Sequence, residues 1–154
     1  MERVIKKLID ENKTVSTMES CTGGGIANAI TNIPDASRVI KFSAVTYSNE
    51  YKIKMGVDSV LIDKYSVYSM EVARDMARAI TNFTNSNYGV GVTGKLKKAD
   101  SNNLSGADDI VFLSIYDHDR NKYYDIKIKL EFDIRSDNKK QIIDEFIANF
   151  LKIS

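Results

Sequence analysis

Tryptophan is absent from this 154-residue chain, and proline, histidine and cysteine occur once each, as Pro34, His118 and Cys21. A single cysteine forms no intramolecular disulfide and no cysteine metal cluster, and it suits a reduced, cytoplasmic setting. A single histidine rules against a histidine-rich metal centre. It also rests any Ser-His-Asp triad on one residue of a predicted turn, "YDHDRN". No segment approaches the ~20 apolar residues of a membrane span. The opening "MERVIKKLIDENK" lacks the apolar core of a signal peptide. An excess of one charge is lacking too. The 22 basic and 21 acidic residues are interspersed and leave a net charge of +1, so there is no basic footprint for nucleic acid.

What is there fits a soluble α/β protein. A hydrophobic fraction of 43% is enough for a core, and the length suits one domain over 1–154. At that size folding buries roughly 70% of the unfolded chain's surface without a staple. No repeat, linker or low-complexity segment interrupts the chain.

Periodicity sets out the elements. Val4, Ile5, Leu8 and Ile9 share one face of a helix over 2–12, and "TVSTM" (14–18) reads as a strand. A helix runs to about Ile33, with Ile26, Ala27, Ile30 and Ile33 inward, until Pro34 breaks it. A strand over 39–48 precedes two short helices, 49–56 and 59–65. Ser69 caps a long helix carrying Val72, Met76 and Ile80. "YGVGVTG" (88–94) is a buried strand and 95–108 a polar loop. Strands over 109–117 and 122–132 form a hairpin, and a terminal helix begins at "NKKQIIDEF". Early alternation and a late hairpin predict a three-layer α/β/α sandwich with a mixed, mostly parallel sheet ending in an antiparallel hairpin.

The chemistry concentrates in "STMESCTGGGIANAITNI" (16–33). Three glycines inside a helix cost on the order of 1 kcal/mol each relative to alanine, so something should offset them. A strand-to-helix turn exposes unpaired N–H groups, and glycines let a carboxylate or phosphate approach the backbone. Ser20 stands there with its hydroxyl available, and neighbouring N–H groups suit an oxyanion. The plainer reading makes Ser20 or Thr22 an N-cap and the glycines a packing device. The motif fits neither the phosphate loop nor the dinucleotide fingerprint. A serine nucleophile needs a base, and with His118 disfavoured the remaining candidate is a lysine, whose pKa falls on burial. "TYSNEYKIK" (46–54) supplies Lys52, one turn behind the strand-end Tyr47. On sequence alone the plainer reading of Lys52 is a solvated helix charge. Thr93 and Gly94 close another strand aimed at the same crevice, and Arg135 precedes the last helix. Cys21, beside Ser20, reads as a small packed thiol.

These residues carry a resemblance. "ESCTGGGIANAIT", "AVTYSNEYKIKMGV", "YSMEVARDMA" and "GVGVTG" stand in the order and at the spacings of motifs in the CinA family, the C-terminal domain of competence/damage-inducible proteins. The resemblance implies an amidohydrolase that converts nicotinamide mononucleotide to its acid and ammonia, in pyridine-nucleotide recycling. It implies Ser20 as nucleophile, Lys52 as base and Tyr47 as its partner, with no metal and no cofactor. Cys21, Thr22, Gly23, Gly24, Thr93, Gly94 and Arg135 are the substrate-binding positions it suggests. It further implies a homo-oligomer and a stand-alone form without the larger relatives' N-terminal domain. One departure stands out. Where relatives continue into a Gly-Pro-Gly-Gly-type loop, this chain reads "KLKKADSNNLSGADD". Lys95, Lys97 and Lys98 are candidates to meet a phosphate there, and Lys139 is the nearest basic residue after Arg135. The departure keeps two alternatives open: a nucleotide-binding module without turnover, and an amidase with another substrate.

Overall fold

The computed structural model describes residues 1–98, 101 and 104–154, so four positions of the departing 94–108 segment lie outside the described residues. Five strands form one sheet in the order β2-β1-β3-β4-β5: β1 (Val15–Glu19), β2 (Ile40–Val45), β3 (Tyr88–Gly94), β4 (Ile110–Asp117) and β5 (Lys122–Lys129). β1 pairs in parallel with β2 and β3, whereas β3–β4 and β4–β5 are antiparallel. The sheet is therefore evenly divided between parallel and antiparallel pairings, a correction to the mostly parallel expectation. β4 returns antiparallel beside β3, and the hairpin then extends that edge.

Two apolar layers cover the sheet. On one face α1 (Glu2–Asp10), α2 (Gly25–Thr31) and α6 (Arg135–Phe150) enclose Leu8, Ile30, Val90, Leu113, Phe146 and Phe150. On the other, α4 (Ser59–Tyr65) and α5 (Met70–Thr84) pack Ile62, Val72, Met76 and Ile80 over Met18. α3 (Asn49–Lys54) lies between β2 and α4 in the chain. The three-layer α/β/α sandwich is as the periodicity predicts.

Local chemistry sets the ends of these elements. Ser48 Oγ accepts from Tyr51 N–H at 3.3 Å, Asp58 Oδ1 from Val60 N–H at 2.9 Å and Ser69 Oγ from Val72 N–H at 3.2 Å, capping α3, α4 and α5. α6 starts three residues earlier than the pattern suggests. Asn138, fully buried, turns its amide back on residue 132, accepting from Phe132 N–H at 3.1 Å and donating to its carbonyl at 2.9 Å. That clasp holds the strand-to-helix connection and puts Arg135 in the first helical turn.

Alternation along β1 positions the site. Val15 packs under α1 and α2, while Met18 packs under α5. Successive strand side chains point to opposite faces, so Glu19 lies under α2 and Ser20 emerges on the other face.

Candidate active site

Ser20 and Lys52, 32 residues apart, meet at the C-terminal end of β1. Lys52 Nζ lies 3.2 Å from Ser20 Oγ and donates to the Thr46 carbonyl at 2.7 Å. The lysine is 1% exposed and the serine 8%. Burial lowers the Lys52 pKa from 10.5 to about 8, against the opposing influence of Cys21. The loss of hydration penalises the charged amine, as expected of a buried lysine. α3 is responsible: Ser48 starts the helix, and Lys52, one turn on, faces inward while Tyr51 and Ile53 stay exposed.

The pair opens onto a cleft of about 760 Å3. Its lining includes Tyr47, Tyr51, Tyr68, Lys95, Lys98 and Arg135, and among the described residues no aspartate or glutamate contributes to it. Cys21 lines the cleft beside Ser20, yet burial, helped by the Glu19 carboxylate, pushes its thiol up to about 12. A thiol so disposed is a poor nucleophile. It behaves as the packed residue the sequence suggests.

The other predicted positions divide. Tyr47 is 66% exposed at the rim, where Arg135 Nη2 meets its hydroxyl at 3.5 Å across the cleft mouth. The observed partner of Lys52 is the Thr46 carbonyl, not the tyrosine. Gly94 and Arg135 line the cleft. Thr93 does not: it is buried and donates to the Val67 carbonyl at 2.9 Å, tying β3 to the entry of α5. Thr22, Gly23 and Gly24 form the turn behind Ser20, outside the cleft lining. Gly23 N–H donates to the Ser20 carbonyl at 2.9 Å, and the two glycines have φ of +62° and +89°. Those values favour glycine. Among the described residues, the N–H groups of Cys21, Thr22 and Gly24 make no hydrogen bond to another residue. Lys95 is buried, bonded to Asp108 Oδ1 at 2.9 Å and the Gly106 carbonyl at 3.3 Å, with its amine 5.2 Å from the centre of the Tyr68 ring. It clasps the altered loop as well as lining the cleft. Lys97 turns to Asp133 at 3.3 Å.

Residues 1–148 match the family model described as CinA C-terminal domain. The chain belongs to the CinA C-terminal domain family. It is 38% identical over 129 residues to a Clostridium kluyveri protein provisionally named competence-damage inducible, covering 82% of this chain and 31% of that relative. It is 46% identical over 88 residues to a CinA-like protein of Endomicrobium trichonymphae, covering 56% and 21%. The chain thus spans about a third or less of these curated CinA relatives. Among solved structures it is similar to a competence/damage inducible protein of Agrobacterium tumefaciens, with TM-score 0.85, 25% identity and coverage of 98% and 93%. It also resembles a competence damage-inducible protein of Klebsiella pneumoniae, with TM-score 0.88, 20% identity and coverage of 99% and 93%. The CinA fold is therefore shared well beyond recognisable identity. Among the described residues no helix is long and apolar enough to cross a membrane.

Sequence reasoning passed over two contributors. One is the Thr46 carbonyl, which no side-chain pattern reveals. The other is Glu19, fully buried at the end of β1. A signal for it existed: α2 begins with a glycine N-cap that makes no side-chain cap bond, so its first N–H groups need an acceptor from elsewhere.

Proposed function

We propose that this CinA-family domain is a Ser–Lys amidohydrolase acting on nicotinamide mononucleotide. The observation that carries this reading is the 3.2 Å approach of the buried Lys52 amine to Ser20 Oγ. A neutral amine donating one proton to Thr46 O retains a lone pair to aim at the serine. Lys52 accepts the Ser20 proton as Oγ attacks the carboxamide carbon. Of the free N–H groups of the 21–24 turn, that of Cys21, which lines the cleft beside Ser20, is the candidate to hold the oxyanion. Lys52 returns the proton to the departing ammonia, and water, activated by the same amine, releases the acid from the acyl-enzyme. The cleft suits the substrate: Lys98 and Arg135 offer positive charge to a phosphate, and Tyr47, Tyr51 and Tyr68 offer aromatic faces to a pyridine ring.

The direct test incubates the protein with nicotinamide mononucleotide and follows ammonia. Wild type is expected to release it and Ser20→Ala to lose the activity. Equal release from both rejects the mechanism.

The lowered amine also sets a pH dependence. Activity requires neutral Lys52, so kcat/KM is expected to rise with pH through about 8 and then level off. A profile flat from pH 6 to 9 would remove Lys52 from the base role.

A second reading, nucleotide binding without turnover, draws on the loop that Lys95 clasps to Asp108 in place of the family's glycines. Calorimetry separates the two: binding heat without ammonia release favours the binding module.

A further inference from the structure

The Glu19 carboxylate accepts four hydrogen bonds and lies one residue before Ser20. Its Oε2 takes Thr22 Oγ1–H at 2.6 Å and Ile26 N–H at 3.0 Å. Its Oε1 takes Ala27 N–H at 2.8 Å and Thr17 Oγ1–H at 3.0 Å. Thr17 Oγ1 also lies 2.9 Å from Ser43 Oγ. A carboxylate only accepts, so the Thr17 proton points to Glu19 and Ser43 donates to Thr17. Each carboxylate oxygen therefore binds one threonine hydroxyl and one backbone N–H of α2.

This arrangement does two things. It caps α2 from within, because Ile26 and Ala27 are the second and third helical residues after the glycine N-cap Gly24. It also consumes the helix's leading donors with an internal anion. What remains for a ligand is the turn itself. That turn hangs on Glu19 at two points: its start is the residue after Glu19, and its middle is held through Thr22. Glu19 also accepts, at its main-chain carbonyl, the Thr46 N–H at 2.8 Å, and the Thr46 carbonyl receives Lys52 Nζ. Nucleophile, base and turn all connect to one fully buried residue that lies outside the cleft lining.

We propose that Glu19 is a positioning residue of the reaction, its carboxylate acting through Thr22 to hold the Ser20 turn in reach of Lys52. The inference rests on the Ser–Lys reading but not on the identity of the amide. A glutamine fits the space, yet its NH2 faces one of the two helical N–H groups, donor against donor. The threonine hydroxyls can rotate to accommodate it; the backbone cannot.

The two threonines make the test. Thr22 reaches Glu19 from the turn and Thr17 from the strand, and each valine variant removes one hydrogen bond to the same carboxylate. A small fluorophosphonate reads Ser20 without needing the natural substrate: Oγ bonds to phosphorus, fluoride leaves and the proton passes to Lys52. Labelling is followed by intact mass and thermal stability on the same samples. Thr22→Val is expected to slow labelling about tenfold or more, given how steeply rate depends on placement of the reacting group. Thr22→Ser should restore it. Thr17→Val should lower the melting temperature comparably while labelling at close to the wild-type rate. Glu19→Gln should behave as Thr22→Val does, and the double variant Glu19→Gln/Thr22→Val should be no slower than the worse single, since they act in one chain of contacts. Equal slowing by both valines, no slowing by either, or a wild type that is not labelled at Ser20 overturns the proposal. If Glu19→Gln fails to fold, the comparison of the threonines still decides. A wild type that is labelled but releases no ammonia from nicotinamide mononucleotide rejects the substrate assignment alone.

Discussion

Lys52→Met is expected to lower kcat about 100- to 10,000-fold, the usual contribution of a general base, while making the protein more stable at pH 7. Both effects come from the burial that suits the amine to its task. Folding lowers the Lys52 pKa from 10.5 to about 8. Between those values the unfolded chain holds more protons than the folded one, so stability rises with pH across the window. Below pH 8 the charged amine carries the full penalty, about 3 kcal/mol on this shift. Methionine has a similar unbranched reach and no charge to desolvate. It leaves the Thr46 carbonyl without its donor, which costs about 1–2 kcal/mol. The net expectation is a gain of about 1–2 kcal/mol at pH 7, with the slope between pH 8 and 10.5 abolished. Denaturant melts of both proteins at pH 7 and pH 10 check it, beside ammonia release. A variant that is less stable at pH 7, or one that keeps its activity, contradicts this account of the amine.

Gly91→Ala is expected to be among the most damaging single-methyl changes in the sheet. A Cβ built at Gly91 falls 2.1 Å from the Ala73 carbonyl oxygen and 2.6 Å from Ala77 N, both backbone atoms of α5. Gly89 is equally tight, 1.9 Å from Thr81 Oγ1 and 2.1 Å from the Ala77 carbonyl oxygen. The two glycines leave one stripe of β3 bare, and α5 lies in it with backbone against backbone. Relief requires the helix to lift, and Val72, Met76 and Ile80 would lift with it off Met18. Overpacking costs about 1–3 kcal/mol when side chains can yield. Here the obstacle is a helix backbone, so the expected loss is about 3 kcal/mol or more. For a domain of this size that corresponds to a melting temperature lower by roughly 6–12 °C. Gly25→Ala is the control, since its Cβ would lie at ordinary contact, 3.4 Å from Ile143 Cδ1. It should be neutral or mildly stabilising through helix propensity. If Gly91→Ala melts like wild type, α5 does not rest on β3 as described.

The elements most legible in the sequence were those whose patterning and punctuation agree. Ser69 and the inward row Val72, Met76 and Ile80 marked α5 with few competing solutions. β3, buried at every position, was marked by the run of glycine and β-branched residues that follows Tyr88. The start of α6 was missed because its clasp is Asn138, whose polar side chain reads as surface until its partner at residue 132 is known. Tyr47 was placed at the correct strand end. What a strand end does not disclose is whether a phenol turns inward to Lys52 or outward to Arg135.

Taken by itself, the order of residues determined the layered α/β architecture, the turn that presents Ser20, and the preference for a lysine over the lone histidine as base. Those follow from local periodicity, turn chemistry and composition, which act over a few residues at a time. Only tertiary structure decided that Lys52 is buried against Ser20, that Glu19 caps a helix beginning six residues later, and that Lys95 clasps a loop. Each depends on groups distant along the chain being removed from water together. The energy of a buried charge is set by what surrounds it, not by its own neighbours in the chain.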